Sequence, residues 1–377
     1  MYKCKIIFGL TFLFTAIFFF CVYHTVDAFT CGTDTVSYGG KNYATVQIGT
    51  TQCWFRENLN VGTRIAGTAM PADPAPTLDD PSTVSKWCYN NTEANCTTDG
   101  GLYSWAETNA LSSVCNTTAC TPPAPNQGIC PTGWHIPTHD EYTTLERAIC
   151  TSGTCATDFP FDVTSLGWRG TNEGSKLSTF TLNGNNSSGF TGLLAGGRYT
   201  GGSFSDRGAY TSLWSASAQL ASNAWARGLG SVQAKIDRNA YTKTYGFTVR
   251  CVKVITTSIV TTDAVTSITS TTAVGNGMVT DTGGNNPTRY IEWGTTSGSY
   301  SNSCSAGAGS MGAYSCSMTG LSVGTTYYVR AKVVNSAGTT YGSETSFVVT
   351  VGSTRNTVKT RGTVKTRGDV KMGNIGN

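Results

Sequence analysis

The chain has 377 residues, of which 13% are charged and 44 are glycine. This length suits two ordinary domains, and the composition is typical of a mainly β, loop-rich extracellular protein. The formal net charge is +4, but residues 351–377 carry six Lys or Arg against Asp369, a local charge of +5 that leaves the remainder near −1. The body of the protein therefore offers no basic surface for nucleic acid.

Residues 1–28 predict a secretory signal peptide. Lys3 and Lys5 precede an apolar run over 6–22, and Ala28 ends a Val-Asp-Ala sequence with small or apolar residues where a signal peptidase reads them. We expect cleavage after Ala28, which leaves no transmembrane span. An uncleaved anchor is the alternative, because the run comes close to the length that crosses a bilayer.

Twelve cysteines remain once Cys4 and Cys21 leave with the signal. An even number in an exported chain indicates disulfides. Metal binding is the competing interpretation, but no C-x2-C pair is present and the mature chain has only His135 and His139, separated by Pro137. We therefore expect no metal and no cofactor.

The spacing of the cysteines predicts six disulfides. Five join near neighbours in the sequence: Cys31–Cys53, Cys88–Cys96, Cys115–Cys120, Cys150–Cys155 and Cys304–Cys316. Cys130 and Cys251 are left over, and we expect them to pair because the first and last core strands of a domain can lie side by side.

Residues 29–254 are expected to form the first domain. An alternating segment at 43–49 predicts a half-buried strand, and the proline-rich region 61–128 reads mostly as loop. Thr138 and Glu141 form the sequence of a capping box and predict a helix that continues to Ile149.

The remainder of that domain, residues 189–253, reads as short strands between turns. Its last segment, Gly246–Val252, is an apolar alternating sequence that predicts a closing strand.

Residues 255–351 differ in composition, since Thr- and Val-rich strands dominate. The segment 321–333 shows a β pattern in which every second residue from Tyr327 to Val333 faces one way. Leu321 followed by Tyr327 resembles the tyrosine corner of Greek-key sandwiches, so we expect a fibronectin type III-like domain. Cys304 and Cys316 are expected to staple a hairpin of it. Residues 352–377 repeat a Thr-Val-Lys-Thr-Arg-Gly sequence and predict a basic disordered tail.

Five motifs in order resemble the Fibrobacter succinogenes major paralogous domain family over roughly residues 38–254. They are Gln52–Gly62, Trp87–Asn91, Gly101–Trp105, Cys130–Pro137 and Gly246–Cys251. The resemblance implies an α+β, loop-rich, disulfide-stapled C-type-lectin-like domain, similar to that of formylglycine-generating enzymes. It also implies an exported bacterial surface protein, of a kind often suspected in adhesion to polysaccharide, with no established catalytic residues.

Aromatic residues in the glycine-rich half supply the best binding hypothesis, since their faces stack on the apolar faces of sugars. The candidates are Trp168, Tyr199, Tyr210, Trp214, Trp225, Tyr241 and Tyr245. Most large aromatics fill a core. We expect two or three to be exposed and choose Tyr199 and Tyr210, which flank a polar, flexible loop containing Asp206 and Arg207.

These observations favour a non-catalytic binding or adhesion protein at the cell surface, with polysaccharide or an anionic cell-envelope polymer as partner. The first alternative is a structural protein of a surface layer. The second is an enzyme of the formylglycine-generating type, for which the sequence offers no motif.

Overall fold

The computed structural model describes residues 29–73 and 75–350. The predicted signal peptide and the predicted tail lie outside the described residues. A mixed α/β unit ends at Val254, and an all-β unit begins at Ile259.

The first unit contains short strands, short helices and tight turns. Its strands are β1 Thr35–Tyr38, β2 Lys41–Ile48, β3 Gln52–Phe55, β4 Thr63–Arg64, β5 Ser85–Lys86, β6 Gly167–Arg169, β7 Ala195–Arg198, β8 Phe204–Arg207, β9 Tyr210–Ala218, β10 Asn223–Gly230, β11 Ile236–Thr242 and β12 Val252–Val254. Its α-helices are α1 Glu93–Asp99, α2 Trp105–Thr108, α3 His139–Ile149, α4 Cys155–Asp158 and α5 Glu173–Leu177. Four 3-10 turns cover Pro81–Thr83, Tyr89–Asn91, Ser113–Asn116 and Thr200–Gly202.

Two sheets organise this unit. One has four strands in the order β1-β2-β3-β12, and the other has six in the order β6-β11-β10-β9-β7-β8. The pairs are antiparallel except for a parallel contact between β7 and β9 at Gly196 and Thr211. A small parallel pair, β4 and β5, lies apart from both sheets.

Helix α3 begins where its sequence predicts. The hydroxyl of Thr138 accepts a hydrogen bond from the backbone N–H of Glu141, whose carboxylate accepts from the backbone N–H of Thr138, so both halves of the capping box form. Tyr142 and Leu145 are buried against the six-stranded sheet. The helix therefore covers one face of that sheet, because its apolar residues share one side.

The region 61–128 contains more regular structure than its prolines suggest. The Cys88–Cys96 disulfide ties the middle of helix α1 to the residue before the Tyr89–Asn91 turn, and Ser104 caps α2 by accepting from the N–H of Glu107. Tyr103 and Trp105 are fully buried. Local caps and a disulfide thus order helices of four and seven residues that carry little periodicity of their own.

The prediction of one closing strand over 246–252 is largely wrong. Only Val252–Val254 is a strand, and it pairs with β3. The preceding residues form isolated bridges with three separate partners: Gly246 with Arg198, Phe247 with Tyr103 and Thr248 with Leu213. The segment is extended but has a different neighbour at nearly every residue, so it crosses between sheets and is buried on both sides.

The structure joins the cysteines in the same six pairs that the spacing predicts. Cys130 and Cys251, 121 residues apart, have Cα atoms 5.9 Å apart and are fully buried. They belong to a core cluster with Phe55 and Trp134. This number of disulfides indicates an oxidising compartment outside the cytosol.

The second unit is a sandwich of two sheets. Its strands are β13 Ile259–Thr266, β14 Thr272–Asp281, β15 Thr288–Gly294, β16 Asn302–Ala308, β17 Gly312–Thr319, β18 Thr326–Asn335, β19 Gly338–Tyr341 and β20 Thr345–Val348. One sheet has the order β13-β14-β17; the other has the order β16-β15-β18-β19, with β20 also on β18.

Burial along β18 follows the predicted alternation. Tyr327, Val329, Ala331 and Val333 face the core. The backbone N–H of Ser322 donates to the hydroxyl of Tyr327 across 3.2 Å, which is the tyrosine corner that Leu321 and Tyr327 predicted. This contact and the strand order make the unit a fibronectin type III-like sandwich.

The Cys304–Cys316 bond does not staple a hairpin. Cys304 lies on β16, which pairs with β15, whereas Cys316 lies on β17, which pairs with β14 in the other sheet. The disulfide therefore ties the two sheets together.

Across the described residues, no helix has both the length and the apolar character needed to cross a membrane.

Candidate functional site: an aromatic strip on the six-stranded sheet

The six-stranded sheet has one face covered by α3 and an outer face, part of which is covered by α2 and Phe247. Leu213, Leu229 and Ile236 point toward α3. Because side chains alternate along a strand, their neighbours point the other way. The cross-strand register aligns Trp168 with Asp237 and Asp237 with Gly228, so these residues lie side by side on the outer face.

Five partly exposed aromatic residues run across this outer face, and we call them the aromatic strip: Trp168, Tyr210, Tyr241, Tyr245 and Tyr199. The ring of Trp168 meets Tyr210 edge-on at 6.0 Å, and the hydroxyl oxygens of Tyr210 and Tyr241 are 3.1 Å apart.

A buried phenylalanine, Phe247, connects Tyr241 in the middle of the strip to Tyr199 and Tyr245 at one end. Its ring centroid is 5.2 Å from that of Tyr241, 5.9 Å from that of Tyr245 and 6.2 Å from that of Tyr199. Tyr199 and Tyr245 pack edge-on at 5.2 Å. The strip is therefore continuous, although its members come from distant parts of the chain.

Two glycines of β10 make room for the rings. A Cβ at Gly228 would overlap the hydroxyl of Tyr210, and one at Gly230 would lie 3.1 Å from the Trp168 ring. The rings can lie low against the sheet only because these positions carry no side chain. The result is a shallow aromatic shelf rather than an enclosed cavity.

A carboxylate lies beneath the middle of the strip. The hydroxyls of Tyr210 and Tyr241 lie 2.7 and 3.0 Å from the same oxygen of Asp237, Oδ2. Burial, with the neighbouring phenol and carboxylate, raises the pKa of Tyr210, and burial raises that of Tyr241 to about 12. Both hydroxyls therefore keep their protons at neutral pH.

The other end of the strip has its own carboxylate. The hydroxyl of Tyr199 donates to Asp206 across 2.8 Å, and burial followed by that contact raises the pKa of Tyr199. Asp206 adopts a positive φ of 71° in the β7–β8 hairpin. The segment expected to be a flexible loop is thus a short turn followed by a paired strand.

The four residues chosen from the sequence do not form one cluster. Tyr199 and Asp206 come together, but Arg207 turns to Asp99, with which it forms an ion pair. Tyr210 belongs instead to the group with Tyr241 and Asp237, because β9 carries it to the middle of the sheet. Of the other aromatic candidates, Trp214 and Trp225 are fully buried, whereas Trp168, Tyr241 and Tyr245 belong to the strip.

Asp237 is the residue that the sequence reasoning missed. Its signal is the alternation of β11, which places Asp237, Asn239 and Tyr241 on one face and Ile236 and Arg238 on the other.

The two histidines make separate contacts and do not form one site. His135 Nε2 is 2.7 Å from a carboxylate oxygen of Glu141. His139 packs its ring 4.3 Å from that of Trp225, with Nε2 2.7 Å from the carbonyl oxygen of Asp162. In the described part of the chain, the one grouping of metal-ligand type is Cys88, Glu93 and Cys96, whose two sulfurs are already bonded to each other.

The buried His139 should make the free energy of unfolding depend on pH in acid. Burial, together with the nearby cations of Arg227 and Arg238, lowers its pKa to about 3. An unfolded histidine titrates near about 6.5. Between these two pKa values the unfolded chain binds a proton at His139 that the folded chain does not bind. The free energy of unfolding therefore falls as the pH drops from about 6.5 to about 3, by up to about 1.4 kcal/mol per pH unit.

Urea unfolding across that pH window checks this. His139→Gln should flatten the decline, because glutamine takes up no proton. Equal slopes for the native and variant proteins would show that His139 does not carry the effect.

The fold and the strip together define an exported, disulfide-rich protein that joins an α/β unit to a fibronectin type III-like sandwich. The family model described as the Fibrobacter succinogenes major domain matches residues 46–253. The chain belongs to that family.

Solved structures with limited likeness were also found. The sensor domain of the anti-sigma factor RsgI4 in Pseudobacteroides cellulosolvens is 19% identical, covers 25% of this chain and 95% of its own, and has a TM-score of 0.21. Domains FN1–FN3 of chicken CNTN1 are 13% identical, with 33% and 51% coverage and a TM-score of 0.21. Titin domains A168–A170 are 12% identical, with 38% and 62% coverage and a TM-score of 0.20. No curated protein matches the chain.

Proposed function

We propose that the protein is a non-catalytic adhesion module of the bacterial cell surface that binds polysaccharide through the aromatic strip. The observation that carries this proposal is the series of five partly exposed aromatic side chains on and beside the outer face of one sheet. Trp168 alone leaves 37% of its surface exposed, although tryptophan is usually well buried.

The shape of the strip supports a chain-like ligand. The glycines beneath it keep the surface shallow and open, which suits a polymer lying along the sheet better than a small molecule held in a pocket. The carboxylates of Asp206 and Asp237 lie beside the rings and can accept hydrogen bonds from sugar hydroxyls. A C-type-lectin-like arrangement of the α/β unit, as the family resemblance implies, is part of the same proposal.

Retention on insoluble polysaccharides tests the proposal. Trp168→Ala and Tyr199→Ala remove a ring at each end of the strip. Each should weaken binding about threefold to tenfold, since a stacked ring contributes roughly 1 kcal/mol beyond area burial. Pull-down of the mature protein on cellulose, chitin and purified cell walls gives the measurement.

A matched control comes from an aromatic residue outside the strip. Phe180 is 55% exposed, so Phe180→Ala removes an exposed ring without touching the strip. Retention should be unchanged in this variant, and all three variants should melt near the native temperature. If the native protein is retained by none of the polymers, or if the strip variants match the control, the strip is not a polysaccharide site.

The two alternative functions, a structural surface-layer protein and a formylglycine-generating enzyme, lead to different expectations. A structural surface-layer protein should assemble into ordered arrays and bind no free polysaccharide. A formylglycine-generating oxidase needs a reduced cysteine pair, whereas all twelve cysteines of the described residues are in disulfides. Labelling of the native protein with a thiol reagent separates the enzyme from both binding and structural roles.

A further inference from the structure

We infer that the middle of the aromatic strip recognises a protonated amino group, so that the preferred polysaccharide carries free amines. This inference rests on the proposed function and narrows its ligand class. The group that carries it is Asp237 with the hydroxyls of Tyr210 and Tyr241.

Asp237 is a buried carboxylate without a cationic partner. It is 6% exposed, and within the described ranges no lysine or arginine forms an ion pair with it. Buried charges in proteins are normally paired, because removing a charge from water is costly. Two tyrosine hydroxyls offset part of that cost, but they are neutral.

Three basic residues of β10, β11 and the following turn are directed elsewhere. Arg238 follows Asp237 on β11 but points to the covered face, where it donates to the carbonyl of Pro160. Arg227 forms its ion pair with Glu146 on that face. Lys243 lies over the ring of Trp105 and donates to the carbonyl of Ala221.

The second oxygen of Asp237 is available to a ligand. Oδ2 receives both tyrosine hydroxyls, whereas the described residues supply no hydrogen bond to Oδ1. Oδ1 is also absent from the buried polar atoms that lack a partner, so solvent reaches it. A ligand ammonium group can therefore donate to Oδ1.

The rings around this carboxylate favour the same charge. A cation is attracted to the faces of Trp and Tyr, and Trp168 and Tyr210 lie next to Asp237 with their ring centroids 6.0 Å apart. Asp206, at the far end of the strip, adds a second negative charge on the same surface. The charge of the strip is thus complementary to an amine-bearing sugar and opposed to a uronate.

Calorimetric titration with soluble oligosaccharides tests the inference. Chitosan oligosaccharides carry free amines, and fully N-acetylated chitin oligosaccharides of equal length are their neutral counterparts. In mildly acidic buffer of low salt, the native protein should bind the amine form roughly tenfold more tightly, as expected for a charged hydrogen bond. Asp237→Asn keeps the shape and removes the charge, so it should abolish the preference for the amine form.

Two controls separate this inference from the proposed function. Asp206→Asn removes a charge at the end of the strip and should leave most of the preference intact. Trp168→Ala should weaken the binding of both ligands, because each stacks on the strip. Equal affinity of the native protein for the two forms, or a preference that survives Asp237→Asn, would overturn the amine inference while the polysaccharide site stands. Absence of binding to either form would overturn the amine inference, and it would overturn the polysaccharide site as well if cellulose and cell walls also failed to retain the protein.

If Asp237→Asn fails to fold, the native protein decides the question. Glucosamine and N-acetylglucosamine are then compared as competitors for its binding of chitosan oligosaccharides. Stronger competition by the amine supports the inference, and equal competition contradicts it.

Discussion

Replacing Cys130 and Cys251 together by alanine should lower the free energy of unfolding by about 4–5 kcal/mol. The bond closes a loop of 121 residues, and loop entropy released to the unfolded chain grows with loop length. Alanine is chosen because both sulfurs are fully buried, so serine would add the cost of burying a hydroxyl. Urea unfolding of the native and variant proteins measures the difference.

The Cys150–Cys155 bond is the matched control. It closes a loop of five residues next to α4 at the surface. The same entropy argument gives roughly 2 kcal/mol for its removal. If the two double variants lose equal stability, or if peptide mapping under non-reducing conditions links Cys130 to another cysteine, the long-range bond does not hold the unit together.

Short-range signals explain which parts of the fold are predictable from the sequence. The capping box at Thr138 and Glu141 defines the start of α3, because both partners lie within one helical turn. Likewise, the alternation along β18 and the tyrosine corner at Tyr327 need only neighbouring residues. Each of these predictions agrees with the structure.

Long-range partners explain what the sequence does not reveal. The segment before Cys251 alternates like a strand, yet Gly246, Phe247 and Thr248 bridge to three different parts of the chain. No pattern of neighbouring residues in the sequence indicates that the pairing partner changes from one residue to the next. The same reason hides the role of Cys304 and Cys316, since the sheet to which each strand belongs depends on pairing with β15 or β14.

The aromatic strip shows the same limit at the candidate site. Alternation tells which residues share a face but not which face α3 covers. Trp225 and Tyr241 look alike in the sequence, yet Trp225 packs against His139 under the helix and Tyr241 faces outward. Tyr199 and Tyr210 lie on the same side of the sheet but in different groups, because β9 carries Tyr210 to the middle of the sheet, although only ten positions lie between them.

Arg250 connects three segments of the first unit while fully buried. Its guanidinium donates to the side chain of Asn58 at 2.7 Å and to the carbonyl of Phe55 at 2.9 Å. It also donates to the carbonyls of Phe190 and Thr191, and it lies 4.3 Å from the Phe190 ring. The side chain thus links two family motifs to the strand-poor region before β7.

Replacing Arg250 by methionine should lower the free energy of unfolding by at least about 3 kcal/mol. Methionine fills similar space but leaves several buried acceptors without a donor, and each of these costs about 1–3 kcal/mol. Arg56→Met is the control, because Arg56 makes one exposed contact to the carbonyl of Gly189 in the same neighbourhood. It should change stability by no more than about 0.5 kcal/mol. Urea unfolding measures the free energy of unfolding of both variants. If Arg250→Met loses as little stability as Arg56→Met, water satisfies the buried acceptors. The two motifs then do not depend on the Arg250 side chain.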